Sequence, residues 1–146
     1  MVPFIVLVIS YIIFRLVGFA IPYFADWQFS LRAALGVMFL LTASAHWGRG
    51  RADLIRMVPH QFGSAATWVT LTGIAEILIA IGLQIPRIAL LVAIAAVLML
   101  LCIFPANLKA SREKLTIAGR PVPSLVPRLA IQVIFLGALA ASVWPR

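Results

Sequence analysis

Acidic side chains are the scarcest feature of this 146-residue chain: Asp26, Asp53, Glu76 and Glu113 stand against twelve lysines and arginines, and only 11% of residues are charged. Soluble domains carry roughly a quarter charged and about half apolar residues, whereas 64% here are hydrophobic and the mean hydropathy is +1.11. So little charge excludes an ordinary water-soluble surface and points to a membrane protein. The single Cys102 excludes an internal disulfide and any C-x-x-C redox centre. Two histidines with four acids do not build a metal cluster, and a bis-histidine haem is disfavoured because His60 lies in the polar stretch after the second apolar run. There is no phosphate-cradling glycine loop, no G-x-S-x-G and no H-E-x-x-H. The net charge of +8 does not argue for nucleic acid, because the basic residues sit in short segments between apolar runs.

Those runs cover about 2–24, 31–47, 65–85, 88–108 and 125–144. A helix needs about 20 residues, with about 17 as the lower limit, to cross a hydrocarbon core of roughly 30 Å, and no water is available there for free backbone groups. The expected fold is an all-α, polytopic membrane helix bundle of five spans forming a single domain, residues 1–146. The first run has no basic residue ahead of it, exceeds the 7–15 residues typical of a signal-peptide core, and lacks a clean A-x-A site, so it reads as a retained span. Arg49, Arg51, Arg56, Lys109, Arg112, Lys114 and Arg120 gather on one face, against Arg32, Arg87 and Arg146 on the other. The positive-inside rule makes the first face cytoplasmic, with the N-terminus inside and the C-terminus outside. Trp27 and Trp144 fall at the outer boundary and Trp47 and Trp68 at the inner one, as interfacial anchors do. The link at 84–87, with Pro86, makes the third and fourth spans antiparallel neighbours.

Ionisable residues inside a membrane are costly, on the order of 2–3 kcal/mol each, and so mark function or pairing. Arg15 and Glu76 are such residues. At about 1.5 Å per residue they lie roughly 20 Å and 16 Å from the inner ends of their spans, so an Arg15–Glu76 ion pair is one expectation. The other is that Arg15 reaches to the outer interface and Glu76 is protonated. Thr72, Gly73 and Ala80 share the Glu76 face, which turns that face into the bundle or a cavity. His46, following Thr42 at i−4, Asn107 after Pro105, and Arg128 with Gln132 at i+4 bring polar groups to the inner half. Pro105 also removes a donor from the Leu101 carbonyl. The expectation is a pocket open to the cytoplasm with Glu76 at its deep end, although hydrogen bonds between helices explain each residue singly. The stretch RGRADLIRMVPHQF reads as an ordinary solvated loop, with a short amphipathic surface segment as the alternative, and KASREKLTIAGR as a connection attracted to anionic lipid.

The motifs SAHW at 44–47, RMVP at 56–59, LTGIAEIL at 71–78, IPR at 85–87, FPANLKA at 104–110 and PRLAIQ at 127–132 resemble, in that order, the DoxX family of small membrane proteins. The resemblance covers roughly residues 31–146. It implies a four-helix core, here preceded by one N-terminal transmembrane helix, and a link to membrane oxidoreductase systems, including quinone-reducing complexes. The chain departs from the family pattern in that first span, in Leu108 and Lys109 where an aromatic commonly follows F-P-A-N, and in V-P-H after Met57 where paired prolines are common. Carried over as candidate pocket residues are His46, Arg56, Glu76, Asn107, Arg128 and Gln132. Three functions follow as expectations. The first is an accessory or quinone- or lipid-binding subunit of a membrane oxidoreductase complex in the bacterial cytoplasmic membrane, in contact with lipids and other membrane subunits. The second is a stand-alone enzyme acting on a lipid, with Glu76 as general acid or base and His46 as its partner. The third is a purely structural bundle within a larger complex, without a ligand.

Overall fold

The computed structural model describes every residue except 1, 118, 122, 123 and 146, so the expected outer-face charge of Arg146 lies outside the described residues. The hub is α2, Trp27–Ser44. It packs against α4, Ala65–Gly82, and α6, Leu125–Ser142, and α5, Ala89–Arg112, closes the ring by packing against both of those. The long helix α1, Val2–Val17, lies against α2 as an addition to this four-helix ring. Ala34, Leu35, Met38 and Phe39 of α2 meet Ile79, Ala80 and Leu83 of α4 in the core, with Leu7 of α1, Ala96 of α5 and Leu139 of α6 completing it. The alanines let the helices approach closely, as membrane helices do where lipid supplies no hydrophobic drive for their association.

Three helices, α4, α5 and α6, are long and apolar enough to cross a membrane. They match the last three expected spans closely, α5 running on past Pro105 and Asn107 to Arg112. The first two runs differ from expectation. The run at 2–24 is not one helix: α1 ends at Val17 after 16 residues, about 24 Å, and the chain turns back into a 3-10 turn at Pro22–Ala25. Gly18 makes the reversal possible, since a Cβ there would lie 2.5 Å from the Phe24 carbonyl oxygen. The second helix starts four residues before the expected 31 and stops at Ser44, three before 47. Its first turns carry Gln28, Ser30 and Arg32, which lower its apolar character.

Those three side chains knit the Gln84 end of the bundle together. Gln28 Nε2 donates to the Ala141 and Trp144 carbonyls at 3.2 and 2.9 Å, and Arg32 Nε to the Ser142 carbonyl at 2.8 Å. The last carbonyls of a helix have no partner within it, and here α2 supplies donors to α6, including a cation at the negative end of its dipole. Fully buried Ser30 donates to the Phe24 carbonyl at 2.7 Å, and Asp26 caps α2 by accepting from the Gln28 backbone N–H at 2.8 Å. Gln84 Nε2 donates to the Arg32 and Ala80 carbonyls, tying the α4–α5 hairpin to the same knot.

At the opposite end, the stretch expected as a solvated loop contains a helix, α3, Arg51–Met57, with Met57 buried, followed by a 3-10 turn at His60–Phe62. Lys109 Nζ donates to the Arg56 and Val58 carbonyls at 2.8 and 3.1 Å, capping α3 from α5. Between α5 and α6 the chain forms a small antiparallel hairpin, β1 at Thr116–Ile117 and β2 at Arg120–Pro121. The class is otherwise helical throughout the described residues.

Candidate functional site

Glu76 sits on the inward face of α4, 7% exposed, and the residue it meets is His46, 8% exposed, in the turn that follows α2. His46 Nε2 lies 3.4 Å from Glu76 Oε2. Gly73, one turn before Glu76, admits the imidazole: a Cβ there would lie 2.7 Å from His46 Cβ and 2.8 Å from both its Cγ and Trp47 Cη2. The T-G-x-x-E pattern on α4 is therefore a seat, with glycine making room for the ring and glutamate meeting its far nitrogen.

The ring's protonation follows from its other side. His46 Nδ1 is 2.6 Å from the Val69 carbonyl oxygen, which only accepts, so Nδ1 carries a hydrogen. Were both Nε2 and Oε2 bare, two lone pairs would face each other in a buried place. A proton on either atom would relieve that repulsion, as imidazolium with carboxylate or as imidazole with carboxylic acid. At 3.4 Å the contact lies within ion-pair reach but outside good hydrogen-bond geometry, and Oε2 has no hydrogen-bond partner among the described residues. A buried carboxyl oxygen in that condition is uncommon in folded proteins and calls for an explanation.

Arg51 holds this seat from outside. Its Nη1 donates to the His46 carbonyl at 2.8 Å and its Nη2 to Thr70 Oγ1 at 2.9 Å, bracing the turn after α2 against the first half of α4. Sequence reasoning counted Arg51 only as a topological charge. Its nearness to His46, across a short glycine-flanked turn, was the one available signal.

The expected pair of Arg15 and Glu76 is not formed. Arg15 Nη1 donates to the Phe24 and Ala25 carbonyls at 3.3 and 2.6 Å, because α1 ends early and brings Arg15 onto the turn that follows it. The other candidate residues stand in separate contacts. Arg128 Nη2 donates to Asn107 Oδ1 at 2.5 Å, linking α6 to α5, and Gln132 Nε2 donates to the Leu100 carbonyl at 3.0 Å, one residue before the carbonyl that Pro105 deprives. Arg56 pairs with Asp53 within α3, away from the carboxyl of Glu76. Two surface clefts, of about 330 and 280 Å³, lie at this end, the first beside Arg51, Thr67 and Thr70, the second between Pro59 and the end of α5. Among the described residues no group of histidine, cysteine and acidic side chains is arranged to hold a metal ion.

The architecture is thus that of a membrane-type helix bundle, a ring of four helices with an added N-terminal helix and a buried histidine–glutamate pair at one seam. The chain belongs to the family described as "Domain of unknown function (DUF8561)", whose model matches residues 35–143 and so takes in most of α2 and all of α4, α5 and α6 while leaving α1 outside. No curated protein and no solved structure matches the chain.

Proposed function

We propose that the protein is an accessory subunit of a membrane oxidoreductase complex in the bacterial cytoplasmic membrane, and that it presents the His46–Glu76 pair to a quinone head group or a similar lipid. One observation carries this reading: a buried carboxyl oxygen that lies 3.4 Å from an imidazole nitrogen and has no hydrogen-bond partner among the described residues. A quinone carbonyl needs a positioned donor and, on reduction, a proton, and this pair has both to offer beside apolar helices. The resemblance of the F-P-A-N, I-P-R and G-x-x-E motifs to the DoxX family supports the oxidoreductase part of the proposal. In this reading α1 and α2 are spans alongside the three long apolar helices, with the N-terminus inside; the packing of α2 against α1, α4 and α6 supports the spans and the distribution of basic residues supports the orientation.

The test is extraction of lipids from protein purified out of its native membrane. Quinone is expected with the wild type and depleted in Glu76→Gln; no quinone in the wild type, with an unchanged lipid profile in the variant, overturns the proposal. A purely structural bundle is the second reading, favoured by the way Arg128, Asn107 and Gln132 bond to protein groups. Under it, neither preparation holds a stoichiometric ligand.

A further inference from the structure

The second cleft shares no residue with the His46–Glu76 seat and has a chemistry of its own. It is about 280 Å³ in volume, walled on one side by Pro59 and Gln61 and on the other by α5. The α5 residues that line it, Pro105, Leu108, Lys109 and Arg112, recur at three- and four-residue spacing and so form one helix face. Followed back along α5, that face continues as Leu101, Leu98, Ile94 and Leu91, 49%, 57%, 49% and 69% exposed. The result is an uncovered apolar ridge that ends in a small cleft with a cationic rim. Lys109 already gives two of its three N–H groups to the carbonyls at the end of α3. The side chains of Arg112 and Glu113 are exposed, and neither is hydrogen-bonded or ion-paired to another described residue.

We infer that this cleft is a headgroup site for a phospholipid that carries its own amine, a phosphatidylethanolamine type of lipid, with an acyl chain lying along the α5 ridge. The phosphate takes the Arg112 guanidinium and the remaining Lys109 N–H, both of which suit phosphate oxygens. Glu113 selects among phosphate lipids. It repels a purely anionic headgroup and attracts an ammonium, and an ethanolamine N–H also donates to its carboxylate where a choline has no N–H to give. The ridge and the cleft together distinguish this from a free phosphate site, which has no use for an apolar track leading into it.

Full-length, delipidated protein in detergent is titrated with phosphatidylethanolamine, phosphatidylcholine and phosphatidylglycerol of identical acyl chains, and bound lipid is counted by native mass spectrometry. Phosphatidylethanolamine is expected to exceed phosphatidylglycerol by about two- to fivefold, the range of an exposed charge pair. Glu113→Gln is expected to erase that preference by raising phosphatidylglycerol binding, and Arg112→Gln to weaken all three lipids. A wild-type ratio of one or below overturns the inference without recourse to any variant. So does displacement of the lipid by millimolar inorganic phosphate together with equal binding of a lipid-free phosphate analogue, which would make it a free-anion site.

Discussion

His46 and Glu76 face each other at 3.4 Å across the step that Gly73 leaves in α4, with the far side of the imidazole fixed by the Val69 carbonyl at 2.6 Å. The relationship joins the turn after one helix to the middle of another and places two ionisable side chains side by side in a buried seam. Its energetics are set by mutual compensation, since either partner left alone is an unpaired polar group in the interior.

That compensation predicts strong coupling. His46→Phe alone is expected to destabilise the protein by about 3–5 kcal/mol, the range for breaking a buried pair and stranding one member. Glu76→Leu combined with His46→Phe is expected to recover most of the loss, because replacing both partners by apolar groups removes the desolvation cost as well as the attraction. A double-mutant cycle of thermal or denaturant unfolding in detergent measures it. Additive losses would mean that the two side chains do not act as a unit.

Gly73 and Gly137 form a contrast within the same protein. A Cβ at Gly73 would collide with the His46 ring, and the colliding atoms, Cβ and Cγ, cannot swing away as the end of a flexible side chain would. Gly73→Ala is therefore expected to cost about 1–3 kcal/mol, as overpacking does. At Gly137 in α6 a Cβ would meet nothing within 4 Å. Gly137→Ala is expected to be neutral or to stabilise by up to about 1 kcal/mol through helix propensity. Unfolding midpoints of the two variants, measured side by side, give the comparison.

The knot at the Gln84 end makes a different prediction. Gln28 and Arg32 together donate to carbonyls at the end of α6, and Gln28→Ala removes the side-chain donor from two of them, the half-buried Ala141 and the exposed Trp144. A loss of about 0.5–1.5 kcal/mol is expected, together with faster hydrogen exchange confined to the last turn of α6. Uniformly faster exchange along α6 would show that the side chain holds the whole helix and not its end.

Sequence reading located the long apolar helices well because a run such as 88–108 has one physical solution in hydrocarbon. It singled out Glu76 for the same reason, since a carboxyl group amid apolar residues is visible without knowing its neighbour. Its neighbour was left between two readings, an Arg15 ion pair and a protonated carboxyl with Arg15 reaching outward, and the ion pair is not formed. Arg15 and Glu76 match in depth along their helices, but depth says nothing of which faces meet, and α1 turns back at Gly18 before Arg15 can reach inward. His46 was noted as ending the second span, whereas it lies in the turn after Ser44, which Arg51 braces. The polar start of α2 lies outside the expected second span, which begins at 31, because its partners at the end of α6 are over a hundred residues away in sequence, a pairing that no local pattern encodes.

Arg51 supplies the last prediction, because its guanidinium reaches two elements at once, the carbonyl of His46 and the hydroxyl of Thr70. Two contacts from a planar fork are geometry that a lysine cannot reproduce, since its ammonium is a single point of charge on a flexible stem. Arg51→Lys is therefore expected to behave more like Arg51→Ala than like wild type, each losing about 1–3 kcal/mol. Because the lost contacts brace the turn that carries His46, both variants are also expected to open residues 45–50 to limited proteolysis before the bundle unfolds. Retention of wild-type protease resistance in Arg51→Lys would show that the charge alone positions the turn, and that the two-point contact with α4 is incidental to the seat of Glu76.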